Sequence, residues 1–249
     1  GADAVGEVPA SRWMLQPSAA ADDTVARRVR HGGFLRSLDL FDNAFFGVSP
    51  AEAAAMDPQQ RLLLERGYEA LHCASLRRAS LAASALGVFV GIGANDWQTV
   101  LAHSPAGRSV YAATGGSLSI ASGRLSFVLG MQGPCVSYDT ACSSALVAHH
   151  GALRAQQQDE ADGALVAGVS VMLLPRVAAS FALAGMTSAT GRCRTFDAGA
   201  DGYARSEACC VSMLTIAGRE SEGTQLGRSG SAVRQDGKSA SLTAPDGRA

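Results

Sequence analysis

Between Ala164 and Leu174 the chain is almost continuously apolar, and the run stops at Pro175. It is far shorter than the roughly 20 residues that cross a bilayer as a helix. Its lack of alternation suits a strand buried on both faces of a sheet rather than one with a wet side. Such a strand needs layers of structure above and below it. Leu86 to Gly91 reads as a second short apolar strand, Cys135 to Tyr138 as a third, and Val211 to Ile216 repeats the doubly buried pattern. Helix-like segments alternate with these strands, so the fold class is α/β.

The helices carry their own start signals. Ser49, Pro50 and Glu52 spell a capping box with proline in the first turn. Asp57 and Pro58 repeat the cap-then-proline signal, and a helix follows to about His72 with Leu62, Leu63, Ala70 and Leu71 on one buried face. Ser117 to Leu129 and Ser143 to Gln158 are the next helical stretches. Residues 1–35 have little periodicity, contain Pro9 and Pro17, and read as an extended surface segment.

Bulk properties remove several classes of function. With 47% hydrophobic residues in 249, the chain can bury a substantial core. A net charge of −1 argues against nucleic acid as a partner, because phosphate binding needs clustered positive surface. No membrane span is expected. Cysteines at 73, 135, 142, 193, 209 and 210 form no C-x-x-C pair and no zinc-finger spacing with histidine. They read as free thiols in a reducing, cytoplasmic setting, with no metal. The chain begins at Gly1 without a signal-peptide pattern, which leaves organelle targeting open.

The chemistry is concentrated in Tyr138-Asp139-Thr140-Ala141-Cys142-Ser143-Ser144-Ala145-Leu146, where a strand pattern gives way to a helix pattern. A thiol there faces the positive end of the helix, which favours the thiolate, the reactive form. The same backbone N–H groups can stabilise an oxyanion formed when sulfur attacks a carbonyl. An isolated cysteine is more often a small buried hydrophobe; its place on an elbow makes Cys142 a candidate nucleophile beside that reading. His149 and His150 follow by seven and eight positions, roughly 10–12 Å along a helix axis, too far to contact the thiol.

Other motifs fail on inspection. Gly91-Ile92-Gly93 has Asp96 where a dinucleotide fingerprint needs its third glycine, and the calcium-like Asp197, Asp201 and Gly202 have Gly199 and Ala208 at ligand positions. No cofactor is expected. The basic cluster Arg27, Arg28, Arg30 and His31 reads first as solvated surface and second as a docking patch for an acidic carrier protein.

The segment DTACSSALVA followed by His149 and His150 closely resembles the active-site segment of β-ketoacyl synthases, above all the ketosynthase domains of modular polyketide synthases. Collinear blocks carry the same resemblance: Gly32-Gly33-Phe34-Leu35, Phe45 to Pro50, Met56 to Glu65, Gly87 to Gly91, Ser122 to Phe127, Gly191 to Asp197, Ala200 to Arg205, and Gly230-Ser231-Ala232-Val233 to Leu242-Thr243-Ala244-Pro245. The resemblance implies a thiolase-like layered α-β-α fold, of which residues 1–249 form a partial domain, mainly the N-terminal half. The first strand and the later segments with the catalytic histidines are expected to be missing.

It also implies that Cys142 accepts an acyl group from an acyl thioester for decarboxylative condensation with a malonyl-type extender. The implied partners are an acyl carrier protein and a second copy of the chain. The alternative is a truncated, non-condensing fragment that only dimerises or binds a carrier. A cysteine acyltransferase or thiolase within the same fold is a further rival. Three glycines of the family's GY-x-RGEG-x-G segment are here Ser206, Ala208 and Cys210; positive φ at those positions would strain the backbone. The asparagine of its NQDG segment is Arg234.

Overall fold

The computed structural model describes residues 3–13, 23–93, 95–215 and 230–241. Ile216 and the Leu242 to Pro245 block lie outside them. In chain order the elements are β1 (Val5–Glu7), α1 (Asp23–Arg28), β2 (His31–Gly33), α2 (Pro50–Ala55), α3 (Pro58–Cys73), α4 (Arg78–Leu81), β3 (Leu86–Gly91), α5 (Asp96–Ala102) and α6 (Ala112–Gly115). They continue with α7 (Ile120–Leu129), β4 (Cys135–Tyr138), α8 (Ser144–Gln157), β5 (Gly163–Ser170), α9 (Pro175–Leu183), β6 (Arg205–Ser206) and β7 (Ala208–Thr215).

The main sheet has the order β4-β3-β5-β7. β3 runs parallel to both β4 and β5, and β7 closes the sheet antiparallel to β5. Pleating sends alternate residues to opposite faces. Val88, Val90, Leu165, Ala167 and Val169 therefore join Leu63, Leu64, Leu71 and Leu125 of α3 and α7 in one core. Phe89, Ala164 and Val166 join Ala148, Ala152 and Ala155 of α8 in another. Sheet between two helical layers is what the apolar runs at β3 and β5 require.

Both caps at the start of α2 and α3 form. The Ser49 hydroxyl accepts the Glu52 N–H at 3.2 Å, and the Asp57 carboxylate accepts the Gln59 N–H at 2.8 Å. The reciprocal half of the capping box is absent, because Glu52 pairs at 2.6 Å with the buried Arg124 instead. The buried stripe of α3 is centred on Leu63, Leu64, Gly67 and Leu71, one position displaced from a stripe through Leu62 and Ala70. α7 begins at Ile120 rather than Ser117. The Gln60 side-chain amide donates to the carbonyls of Thr114, Gly115 and Ser117, which fixes that stretch as a turn.

Three expectations are corrected. Residues 1–35 are not simply loop: β1 pairs antiparallel with β2, which pairs parallel with β6, and Gly32 and Gly33 are buried. The pairing partner lies far along the chain, so no local period announces it. β7 is not buried on both faces. It alternates between exposed and half-buried residues, with Cys209, Val211 and Met213 resting on the α3-side core. Burial there pushes the Cys209 thiol up to about 12. Finally, Ser206, Ala208 and Cys210 lie in strands and none has positive φ, so the lost glycines leave no backbone strain.

The two sheets are joined by Glu207, whose carboxylate is fully buried. It takes a bidentate pair from Arg12 at 2.9 and 3.1 Å and accepts the backbone N–H groups of Leu35 at 2.7 Å and Met172 at 2.9 Å. A buried carboxylate with four donors is satisfied, whereas deletion of its partner leaves an uncompensated charge.

Asp57 is buried with fewer compensating groups, and desolvation pushes its carboxyl from 3.8 to about 6, against the opposing hydrogen bonds from Gln59. The fold therefore binds a proton there more tightly than the unfolded chain does, and its stability falls as pH rises from about 4 through about 6. In denaturant titrations, Asp57→Asn should gain about 2–3 kcal/mol on the wild type between pH 4 and pH 7.5. A stability difference that does not change with pH would contradict this.

Candidate active site at the strand-to-helix elbow

β4 delivers the chain to the elbow. The Asp139 carboxylate accepts the Ala141 N–H at 3.1 Å, a turn that ends the strand. Ala141 has φ +54°, in the left-handed region that non-glycine residues seldom occupy. One short turn of 3-10 helix, Ala141–Ser143, then leads into α8. Cys142 sits on that turn and is exposed. The elbow expected from the sequence is present, with the thiol at the N-terminal end of a 14-residue helix.

The helix can reach this position because the sheet beneath it is bare. Gly91 at the end of β3 pairs in register with Gly168 of β5. A Cβ on Gly91 would lie 2.5 Å from both the Ala145 nitrogen and the Ser144 carbonyl carbon, and one on Gly168 would lie 2.8 Å from the Ala145 Cβ. A third glycine, Gly151 on α8, clears space for the Tyr138 ring, since its Cβ would fall 2.3 Å from the phenol oxygen. Burial in this contact raises the Tyr138 pKa. The Gly91-Ile92-Gly93 stretch thus serves packing; a Cβ on Gly93 would meet the Asp139 carboxylate at 2.7 Å.

Hydroxyls fasten the turn. Ser144 accepts the Thr140 N–H at 2.8 Å and donates to the Ala141 carbonyl at 2.7 Å. Ser143 donates to the Thr140 carbonyl at 2.8 Å and lies 2.9 Å from the Thr140 hydroxyl. Sequence reasoning missed both the strained Ala141 and the glycine pair; small residues at the end of an apolar strand and at the same level of its neighbour were the available signal.

The other sequence candidates do not gather at the thiol. His150 lies further along α8 and its Nδ1 is 2.8 Å from the Ser231 hydroxyl. Arg28 donates to the carbonyls of Gly185, Thr187 and Asp201, and Arg30 pairs with Glu7 at 2.8 Å, so the basic cluster is not a single patch. Asp197 accepts the Gly199 N–H as a turn residue, and Asp201 accepts the Ala189 N–H from twelve positions earlier, tying two stretches together. Among the described residues no group of three or more His, Cys, Asp or Glu is placed to hold a metal. No helix among them is long and apolar enough to cross a membrane. A 660 Å³ groove lies elsewhere, between β1, β2 and α3, lined by Arg12, Phe34, Asp39, Arg61 and Trp97, and does not include Cys142.

With layered fold and cysteine elbow in place, comparison with known proteins defines the class. Residues 1–217 match the family described as "Beta-ketoacyl synthase, N-terminal domain", and the chain belongs to it. It is 43% identical over 251 aligned positions to a phenolphthiocerol/phthiocerol polyketide synthase of Mycobacterium tuberculosis, covering 99% of this chain and 16% of that one. The mycocerosic acid synthase-like polyketide synthase of Mycolicibacterium smegmatis is 42% identical, over 98% of this chain and 12% of its own length. Among solved structures, an oxazolomycin ketosynthase domain from Streptomyces albus superposes with TM-score 0.77 at 35% identity, covering 86% of this chain and 38% of that one. The module 6 ketosynthase of the bacillaene synthase from Bacillus subtilis gives 0.74 at 34%, covering 86% and 34%. The chain therefore spans a small part of these relatives, and its fold is that of their thiolase-like ketosynthases.

Gly91→Ala places a methyl group against backbone that cannot swing aside, and should cost about 1–3 kcal/mol in denaturant unfolding. Site-resolved alkylation of Cys142 should slow with it. Wild-type stability and wild-type alkylation in this variant would contradict the seating of α8 on the glycine pair.

Proposed function

We propose that this chain is the acyl-accepting part of a ketosynthase, with Cys142 as the nucleophile, and that residues 1–249 form part of one such domain. The observation that carries the reading is the exposed thiol on a strained turn at the N-terminal end of α8. The sulfur, as thiolate, attacks the carbonyl carbon of an acyl thioester. The tetrahedral oxyanion collapses, the carbon–sulfur bond to the carrier breaks, and the departing thiolate takes a proton. The acyl group is then held as a new thioester on Cys142. In the condensation that follows, a malonyl-type thioester loses carbon dioxide, its carbanion attacks that acyl carbon, and the Cys142 thiolate is released.

The family's decarboxylating histidines belong to HGT and N-x-G-H segments, and these 249 residues contain no histidine after His150. The step assigned to this chain's own residues is therefore acyl acceptance. The donor is an acyl group on the phosphopantetheine of a carrier protein, and a cytoplasmic setting agrees with six free cysteines.

A homodimer is proposed on a separate observation. β4 is an outer strand of the main sheet and carries the exposed Val136, and α7, which packs against β4 through Ser122 and Ser137, carries the exposed Phe127. An open strand edge flanked by apolar side chains is suited to pairing with a second copy. Sedimentation at micromolar concentration should give twice the 25.5 kDa of one chain. Phe127→Asp combined with Val136→Lys should give single chains, and an unchanged dimer would place the interface elsewhere.

The nucleophile is tested by incubation with an acyl-pantetheine thioester. Intact mass should increase by one acyl group for the wild type and not for Cys142→Ala. Equal acylation of the two proteins would refute the assignment.

A further inference from the structure

Ser144 follows the nucleophile by two positions and points away from solvent: it is 6% exposed, while Ala141 and Cys142 just before it on the turn are exposed. Its hydroxyl makes two bonds to the backbone of the two residues that precede the nucleophile. It accepts the Thr140 N–H at 2.8 Å and donates to the Ala141 carbonyl at 2.7 Å. These groups flank Ala141, whose φ of +54° is unfavourable for a residue with a side chain. The backbone is thus bracketed from the N-terminal and C-terminal sides of its strained position. Strain of this kind persists only where surrounding contacts over-determine it.

We infer that Ser144 is a positioning residue for the Cys142 nucleophile, acting by holding Ala141 in its left-handed conformation. The inference rests on the reading of Cys142 as the acyl acceptor. Thr140 and Ala141 are the last residues before the sulfur, so a change of backbone angle at Ala141 swings the thiol off the axis of α8. The helix N-terminal end then ceases to act on it. Glycine at the same position needs no bracket, since it adopts positive φ without a side-chain penalty. This predicts a specific rescue: Ala141→Gly should restore what loss of the Ser144 hydroxyl removes. A hydroxyl that only filled space or stiffened α8 would not be compensated by glycine three positions earlier.

The test is the rate of iodoacetamide alkylation across pH 6–9, read at each cysteine by peptide mass mapping of the whole chain, with circular dichroism to establish that each variant is folded. In the wild type, Cys142 should react faster near neutral pH than the exposed Cys73 and Cys193. Ser144→Ala should slow Cys142 about tenfold at neutral pH, the scale set by one well-made hydrogen bond. Cys73 and Cys193 should be unaffected. Ala141→Gly combined with Ser144→Ala should return the rate to within about threefold of wild type, as expected when glycine removes the left-handed penalty.

A fast Cys142 unchanged by Ser144→Ala overturns the positioning role alone. A slowed variant that Ala141→Gly fails to rescue also overturns it, and assigns the hydroxyl to packing. A wild-type Cys142 no faster than Cys73 defeats the underlying reading of the nucleophile as well. Should Ser144→Ala not fold, Ala141→Gly combined with Ser144→Ala still decides: a folded double variant with wild-type alkylation supports the bracket, and an unfolded one contradicts it.

Discussion

The close approach of α8 to the sheet at Gly91 and Gly168 is the contact on which the rest of the site depends. Two glycines paired across β3 and β5 leave backbone where side chains would otherwise stand, and Ser144 and Ala145 occupy that space. The first turn of the helix is thereby pressed against the ends of two parallel strands. The chain leaving β4 must climb from sheet level onto this helix within a few residues, and it does so through the left-handed Ala141. Cys142 stands at the top of that climb. Its exposure and its place at a helix N-terminus are consequences of packing as much as of local sequence.

The wider architecture supplies rigidity to that turn. β3 and β5 are buried on both faces, with α3 and α7 below and α8 above. Dense apolar packing of this kind transmits displacement rather than absorbing it. Just beyond the end of β5, the buried Glu207 holds the β1-β2-β6 sheet to the main one through Arg12, Leu35 and Met172. That carboxylate belongs to the Gly202 to Cys210 segment in which the family's glycines are replaced. The replacements fall in strands, and the segment anchors the two sheets with serine, alanine and cysteine at those positions.

Elements fixed by local pattern were legible in the sequence. Leu86–Gly91 and Cys135–Tyr138 are strands at the residues expected, and the cap of Asp57 with Pro58 marks the start of α3. The elbow was also legible, because a strand pattern running into a helix pattern leaves few alternatives for the residue between. Features decided by distant partners were not. β1 and β2 are too short to show a period, and β6 lies at the other end of the chain. The apolar run of β7 looks like that of β5, yet one strand is covered on both faces and the other on one. Ala141 carries no sign of positive φ, since alanine avoids it in isolation; the bracket from Ser144 and the seat on Gly91 impose it. Glu207 could not be singled out either, because its donors come from three separate segments.

The central claim is that this turn makes Cys142 the acyl acceptor of a ketosynthase chain. The most direct measurement is tandem mass mapping of the wild-type chain after brief exposure to a limiting amount of acyl-pantetheine thioester, with all six cysteines free to compete. The account predicts the acyl group on Cys142, with the other cysteines unmodified at the same time point. Acyl groups spread over Cys73, Cys135, Cys193 and Cys210 in proportion to exposure, with no preference for Cys142, would contradict it.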